Sequence, residues 1–150
     1  MSDLVKVQFY EPDVGYENLW ATVLPDGLYQ IESVPFYVYG VSIGDIVAAS
    51  PDSEGRLQFS GIVTSSATKT VRALTGGSSL EDPPISQLVA KLKALGCTIE
   101  LRKPDLVAIS IPPSVKIESV ADFLTSHDVR WEYANPTFDD IAIRKRLTGE

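Results

Sequence analysis

Few residues of this 150-residue chain have both the type and the company to do chemistry. Asp45 closes the stretch VPFYVYGVSIGD, residues 34–45, so a carboxylate follows the phenols of Tyr37 and Tyr39. Such groups suit acid/base work if they converge. Together with Glu32 and Trp20 they equally suit a contact surface for a cationic partner. Cys97 follows Gly96 at the start of a strand pattern, the setting of a buried structural thiol, whereas a nucleophilic thiol needs electropositive surroundings. His127 lies in Ser126-His127-Asp128 just past a helix pattern, where a capping role is favoured over a catalytic one. Asp139-Asp140 is an adjacent acid pair, and helical neighbours point about 100° apart, poor geometry for shared proton transfer.

Other site classes fail on composition. One cysteine and one histidine cannot supply a soft or imidazole ligand cluster, and no Asp-rich loop has calcium spacing. Neither a metal nor an organic cofactor is expected. Gly76-Gly77-Ser78-Ser79 falls between a strand and a helix pattern but lacks the P-loop lysine, and Asp82-Pro83-Pro84 puts a charge and missing donors where phosphate would sit. It reads as a linker.

The elements that must position these residues fall into two parts. Residues 1–66 read as an acidic β-rich lobe. Val5 to Phe9 alternates with period two, Leu19 to Leu24 and Leu28 to Ile31 flank the turn Pro25-Asp26-Gly27, and Asp45 to Ala49 pairs with Leu57 to Thr64. The set predicts a small curled antiparallel sheet or partial barrel. If 36–39 is extended, Phe36 and Val38 share one face and Tyr37 and Tyr39 the other. Core and surface placements both remain open for the tyrosines.

Residues 67–150 read as strand, helix, strand, strand, helix, strand: Lys69 to Leu74, a helix opened by Asp82-Pro83 and closed by Gly96, Cys97 to Arg102, Leu106 to Ile111, a helix carrying Ile117, Val120, Ala121 and Leu124, and Val129 to Tyr133. That order is the ferredoxin-like βαββαβ unit, so the fold class is α+β. Thr137 caps a short C-terminal helix whose last turns hold Arg144, Lys145 and Arg146, the favourable order for the helix dipole.

Charge separates the two parts. Residues 1–55 hold nine acids against one base, Lys6, out of a chain total of −7. Such a lobe repels nucleic acid phosphates and attracts cationic partners. RNA binding through the second part would want aromatics on the sheet, and Lys69 to Leu74 and Leu106 to Ile111 have none. The N-terminal MSDLVKVQFY shows no signal-peptide pattern and no apolar run reaches the roughly 20 residues of a membrane span. A cytoplasmic protein without a membrane or nucleic acid partner is expected.

Residues 19 to 47 also carry a resemblance. Leu19-Trp20-Ala21, Asp26-Gly27-Leu28-Tyr29, and the run from Ile31 through Val34-Pro35-Phe36, Tyr39-Gly40-Val41-Ser42 and Gly44-Asp45-Ile46-Val47 resemble the bacterial family known as domain of unknown function 4265. The resemblance implies a bacterial protein and no particular activity. Taken together, the expectation is a non-enzymatic binding module, an acidic inhibitor or immunity protein that neutralises a bacterial toxin through a basic surface, with Trp20, Glu32, Tyr37, Tyr39 and Asp45 as contacts. The alternatives are a small-molecule sensor built on the ferredoxin-like half, and an enzyme using Asp45 with Tyr37 or Tyr39.

Overall fold

A computed structural model describes residues 3–76, 82–102, 105–127 and 129–142. Its contacts divide the chain into two units, Met1–Thr68 and Lys69–Glu150. The first unit has an excess of seven acids and thus carries the whole net charge, while the second is balanced.

The first unit is a closed five-stranded barrel: β1 (Leu4–Glu11), β2 (Gly15–Val23), β3 (Tyr29–Ile31), β4 (Ile46–Pro51) and β5 (Leu57–Thr64), each paired antiparallel to the next. An odd number of strands in an up-and-down meander must close parallel, and β1 meets β5 in that sense at Val7–Leu57 and Gln8–Gln58. Alternation aims Val7 and Phe9 of β1 and Leu19 and Ala21 of β2 inward, where they join Ile31, Val38, Val41 and Val47. Tight turns join β1 to β2, β2 to β3 and β4 to β5. Gly27, at φ 79°, closes β2 to β3 with its N–H on the Leu24 carbonyl. Two register shifts in the β4–β5 pair bend the sheet towards closure.

The expected strand at residues 36–39 does not form. The chain from Glu32 to Asp45 is an irregular 14-residue connection, and β4 starts only at Ile46. Gly40 and Gly44 take φ 80° and 88°, which a continuing strand cannot accommodate. Val38 and Val41 nevertheless enter the core, so the connection plugs the barrel.

The second unit runs β6 (Lys69–Leu74), α1 (Pro83–Leu95), β7 (Thr98–Arg102), β8 (Leu106–Ile111), α2 (Ile117–Ser126) and β9 (Arg130–Asn135), followed by helical turns over 138–142. The sheet order is β7-β8-β6-β9 with every neighbour antiparallel. Val71, Ala73, Val107 and Ile109 on one sheet face pack with Leu88 and Leu92 of α1 and Val120 and Leu124 of α2. Gly96, at φ 106°, ends α1, and the Cys97 N–H reaches back to the Leu92 carbonyl. Asp82 holds the N-cap position without a side-chain cap bond, since Pro83 and Pro84 remove two of the donors a cap would serve. Thr137 and Asp140 cap the last helical turns reciprocally, each side chain accepting the other's backbone N–H at 3.1 and 3.2 Å. Arg144, Lys145 and Arg146 lie outside the described residues, as do Gly77, Ser78 and Ser79 of the expected linker. Among the described residues no helix is long and apolar enough to cross a membrane.

Candidate functional site

The acids of the barrel divide into those the fold uses and those it displays. Glu17 points inward from β2 and is buried. Its Oε2 accepts the Phe36 N–H at 2.8 Å, and its Oε1 accepts those of Tyr37 and Val38 at 3.0 Å each. Glu11 accepts the Tyr39 N–H at 3.0 Å. Four successive amides of the aromatic stretch thus converge on two carboxylates, which replaces the strand ladder those amides would otherwise need.

Asp45 performs the same task at the other end of the connection. It has no exposed surface. Oδ2 accepts the Ser42 N–H at 2.9 Å, while Oδ1 accepts the Ser66 N–H at 2.8 Å and lies 3.0 Å from the Ser66 hydroxyl. The expected contact role of Asp45 is therefore corrected: its carboxylate holds the connection to the end of β5 and cannot be presented to a partner or a substrate. Gly44 has the Ser66 Cβ only 3.0 Å from where a side chain would begin, so the approach needs glycine there.

The remaining expected contacts are distributed as follows. Tyr37 is half-buried and Tyr39 is 40% exposed. Trp20 is 47% exposed on the outside of β2, and Glu32, exposed beside it, accepts the Thr22 hydroxyl at 3.0 Å. The Glu32 N–H donates to the Trp20 carbonyl and the Trp20 N–H to the Ser33 hydroxyl, so Trp20 and Glu32 are held together.

Sequence reasoning missed the rest of this surface. The outward positions of β1 and β2 pair as Tyr10–Tyr16, Gln8–Asn18, Lys6–Trp20 and Leu4–Thr22. Tyr10 and Tyr16 are both mostly exposed with ring centroids 5.1 Å apart, and Lys6 Nζ lies 5.1 Å from the Trp20 ring. A shallow groove of about 520 Å³ runs along the same strands past Gln8, Asn18 and Trp20 to Arg56. Since Val7 and Phe9 must point inward, the alternation of β1 already placed Tyr10 outside, and that was the available signal.

Beyond the groove, Asp52 gathers the N–H groups of Glu54 and Arg56, the Arg56 guanidinium and the Gln58 amide. Desolvation pushes its carboxyl upward, but these hydrogen bonds together outweigh it and hold Asp52 below the ordinary carboxylate value. Arg56 is raised in turn, first by its hydrogen bond to Asp52 and then by the charges of Glu54 and Asp52. Burial pushes the Cys97 thiol up, which keeps it protonated and structural. The His127 Nδ1 lies 2.8 Å from the Phe123 carbonyl at the end of α2, the capping position. No group of three or more His, Cys, Asp or Glu side chains among the described residues could hold a metal ion.

These features define a mixed α+β protein: a closed five-stranded barrel with a displayed aromatic face, then a four-stranded sheet with helices. The chain belongs to the family described as "Domain of unknown function (DUF4265)", whose profile matches residues 17–133. It is similar in fold to the crystal structure of a hypothetical protein from Neisseria gonorrhoeae, at TM-score 0.75 and 19% identity, over 92% of this chain and 97% of that one. No curated protein matches the sequence.

Proposed function

We propose that the protein is a non-enzymatic, cytoplasmic protein-binding module of bacterial origin whose partner is a basic protein, in the manner of an immunity protein that neutralises a toxin. One observation carries the reading: Tyr10, Tyr16 and Trp20 stand exposed in a row on the β1–β2 face of the unit that holds all the net charge. Large, stiff aromatics that remain in water after folding are the residues that anchor protein contacts. Glu32 beside Trp20 adds a carboxylate at the rim, and the excess of acids steers a cationic surface towards it. The second unit is read as ferredoxin-like, supported by its βαββαβ order and the sheet order β7-β8-β6-β9.

The test pairs co-expression with binding. Toxin candidates from the native cell should lose their growth inhibition with the intact chain present. A stoichiometric complex should weaken as salt rises. Trp20→Ala should weaken it by about 2 kcal/mol, roughly 30-fold. No rescue by any candidate, or a complex indifferent to Trp20→Ala, Tyr10→Ala and Tyr16→Ala together, refutes the reading.

A further inference from the structure

The short closure of the barrel leaves an open backbone edge on β1. β2 pairs with every residue of β1, whereas β5 meets it only at Val7–Leu57 and Gln8–Gln58. The bonds of β2 fix where the groups ahead of Val7 point. The Val23 N–H donates to the Asp3 carbonyl at 3.1 Å, so Asp3 turns that carbonyl towards β2. Trp20, opposite Lys6, instead gives its N–H to the Ser33 hydroxyl and accepts the Glu32 N–H at its carbonyl. Lys6–Trp20, and with it Leu4–Thr22, are therefore non-hydrogen-bonded pairs of the antiparallel ladder, and the backbone polar groups of Leu4 and Lys6 point away from β2. The Leu4 N–H and C=O and the Lys6 N–H lie ahead of the first contact with β5, and no described strand runs beside them.

Across from this edge stands a turn. The β4–β5 pairing ends at Pro51–Leu57, and the Asp52 N–H closes the turn on the Arg56 carbonyl at 2.8 Å. The groove of about 520 Å³ is lined here by Leu4, Val5 and Lys6 of β1, by Gly55 and Arg56 of the turn, and by Trp20. Leu4 and Trp20 leave large apolar side chains exposed along it. The surroundings are acidic. Arg56 is already held by Asp52 and Glu54, at 3.1 Å each, and Asp3 adjoins the edge, so the acids outnumber Lys6 and Arg56.

We propose that the partner enters this groove with an extended segment rich in Lys and Arg, which adds a short strand to the edge of β1. The proposal rests on the reading of the barrel as a surface for a basic protein, and names the part of that protein it holds. Main-chain donors and acceptors left along a strand edge are met by another extended backbone, whereas a helix spends its own groups internally. An edge from Leu4 to Lys6 spans about 10 Å, so the main-chain bonds are few. Side chains of the segment supply the rest, apolar ones against Leu4 and Trp20 and basic ones near Asp52 and Glu54. A second copy of this chain is the poorer occupant, because its first unit carries the same excess of acids.

Panning a phage-displayed random heptapeptide library on the intact chain at low salt tests this. The enriched peptides should be rich in Lys and Arg. One of them, synthesised and titrated into the ¹⁵N-labelled chain, should shift the Leu4 and Lys6 amides saturably and slow their exchange with solvent. N-methylation of its backbone at alternate positions should weaken binding by about tenfold or more, as the loss of main-chain bonds requires. Lys6→Pro removes an amide that β2 does not use and should weaken binding by a similar factor. Enrichment of no basic peptide overturns the proposal, as do Leu4 and Lys6 amides that stay still or N-methylated peptides that bind as tightly as the parent. Should Lys6→Pro fail to fold, the N-methylated peptides on the native chain still decide. A basic ligand that binds through Tyr10, Tyr16 and Trp20 while the Leu4 and Lys6 amides stay still refutes the added strand alone. The broader reading stands or falls separately, on growth rescue and the aromatic variants.

Discussion

In the first unit the buried polar groups include two carboxylates, Glu17 and Asp45, both bonded to the connection between β3 and β4, with Asp45 also bonded to Ser66 just past β5. In the second, the buried polar groups are Thr70, Arg72 and Ser110 on the sheet, and no carboxylate among the described residues is buried. The buried contact of the helices with the sheet is hydrocarbon, from Leu88 and Leu92 to Val120 and Leu124, and the Trp131 Nε1–H adds one exposed hydrogen bond to the Thr125 hydroxyl of α2. The difference follows from geometry. A five-stranded barrel is closed around its side but open at its end, and a 14-residue irregular plug brings amides that no neighbouring strand satisfies. Charged acceptors solve that problem. A sheet layered with helices never meets it, because helices satisfy their own amides.

This contrast can be broken by mutation, since each unit has its own tryptophan, Trp20 in the first and Trp131 in the second. The largest effect is expected from Leu124→Ala, which empties a fully buried site between α2 and the sheet and should cost about 4 kcal/mol. Urea unfolding followed by Trp131 fluorescence, in a Trp20→Phe background, should report it. Glu17→Ala comes next. It leaves three amides without their acceptor and should cost about 3 kcal/mol, seen through Trp20 in a Trp131→Phe background. An unchanged Trp20 midpoint would mean that water replaces the carboxylate and that the plug is not held by it.

How much of this was legible in the sequence depends on which force decided each segment. Period-two alternation revealed β1, and the Asp82-Pro83 opening and Gly96 stop revealed α1, because hydrophobic spacing and capping act locally. Phe36 to Tyr39 misled for a definite reason. Four β-prone residues outweigh their context on propensity, yet the acceptor that reorganises them, Glu17, is 19 residues or more away in sequence. An inward Glu in a strand pattern also reads as a break in the alternation, which is why β2 was expected to begin at Leu19 and not at Gly15. Asp45 was expected at a contact surface or in acid/base work, because its bond to Ser66, 21 residues away, is not encoded nearby. Trp20 and Glu32 were named as contacts for their chemistry, and both are exposed.

A smaller effect separates structural from reactive roles for Asp45. Asp45→Asn retains the shape but turns one accepting oxygen into a donor that faces the Ser42 or Ser66 N–H, so it should lower stability by about 2 kcal/mol. Differential scanning calorimetry of the variant should show the loss. An unchanged melting temperature would show that the connection does not depend on the charge of Asp45. Thr75→Val should act in the opposite direction. By removing the unpaired hydroxyl it should raise stability by about 1 kcal/mol, and a drop would show that Oγ1 has a partner after all.

The smallest effect concerns Asp52, whose carboxyl is partly exposed and not sealed inside like those of Glu17 and Asp45. Its folded pKa lies below the ordinary 3.8, because four hydrogen bonds overcome its desolvation. A depressed carboxylate stabilises the fold fully above its unfolded value, and that contribution fades as pH falls through the folded value. The difference in urea midpoint between the native chain and Asp52→Asn should therefore be constant from pH 8 to about 5, then shrink from about pH 4 to 2. A difference that stays the same down to pH 2 would show that the native carboxylate gains nothing from Arg56 and Gln58. The acids of the barrel would then divide more sharply still, into buried ones that hold the plug and exposed ones that leave folding untouched and remain available to a partner.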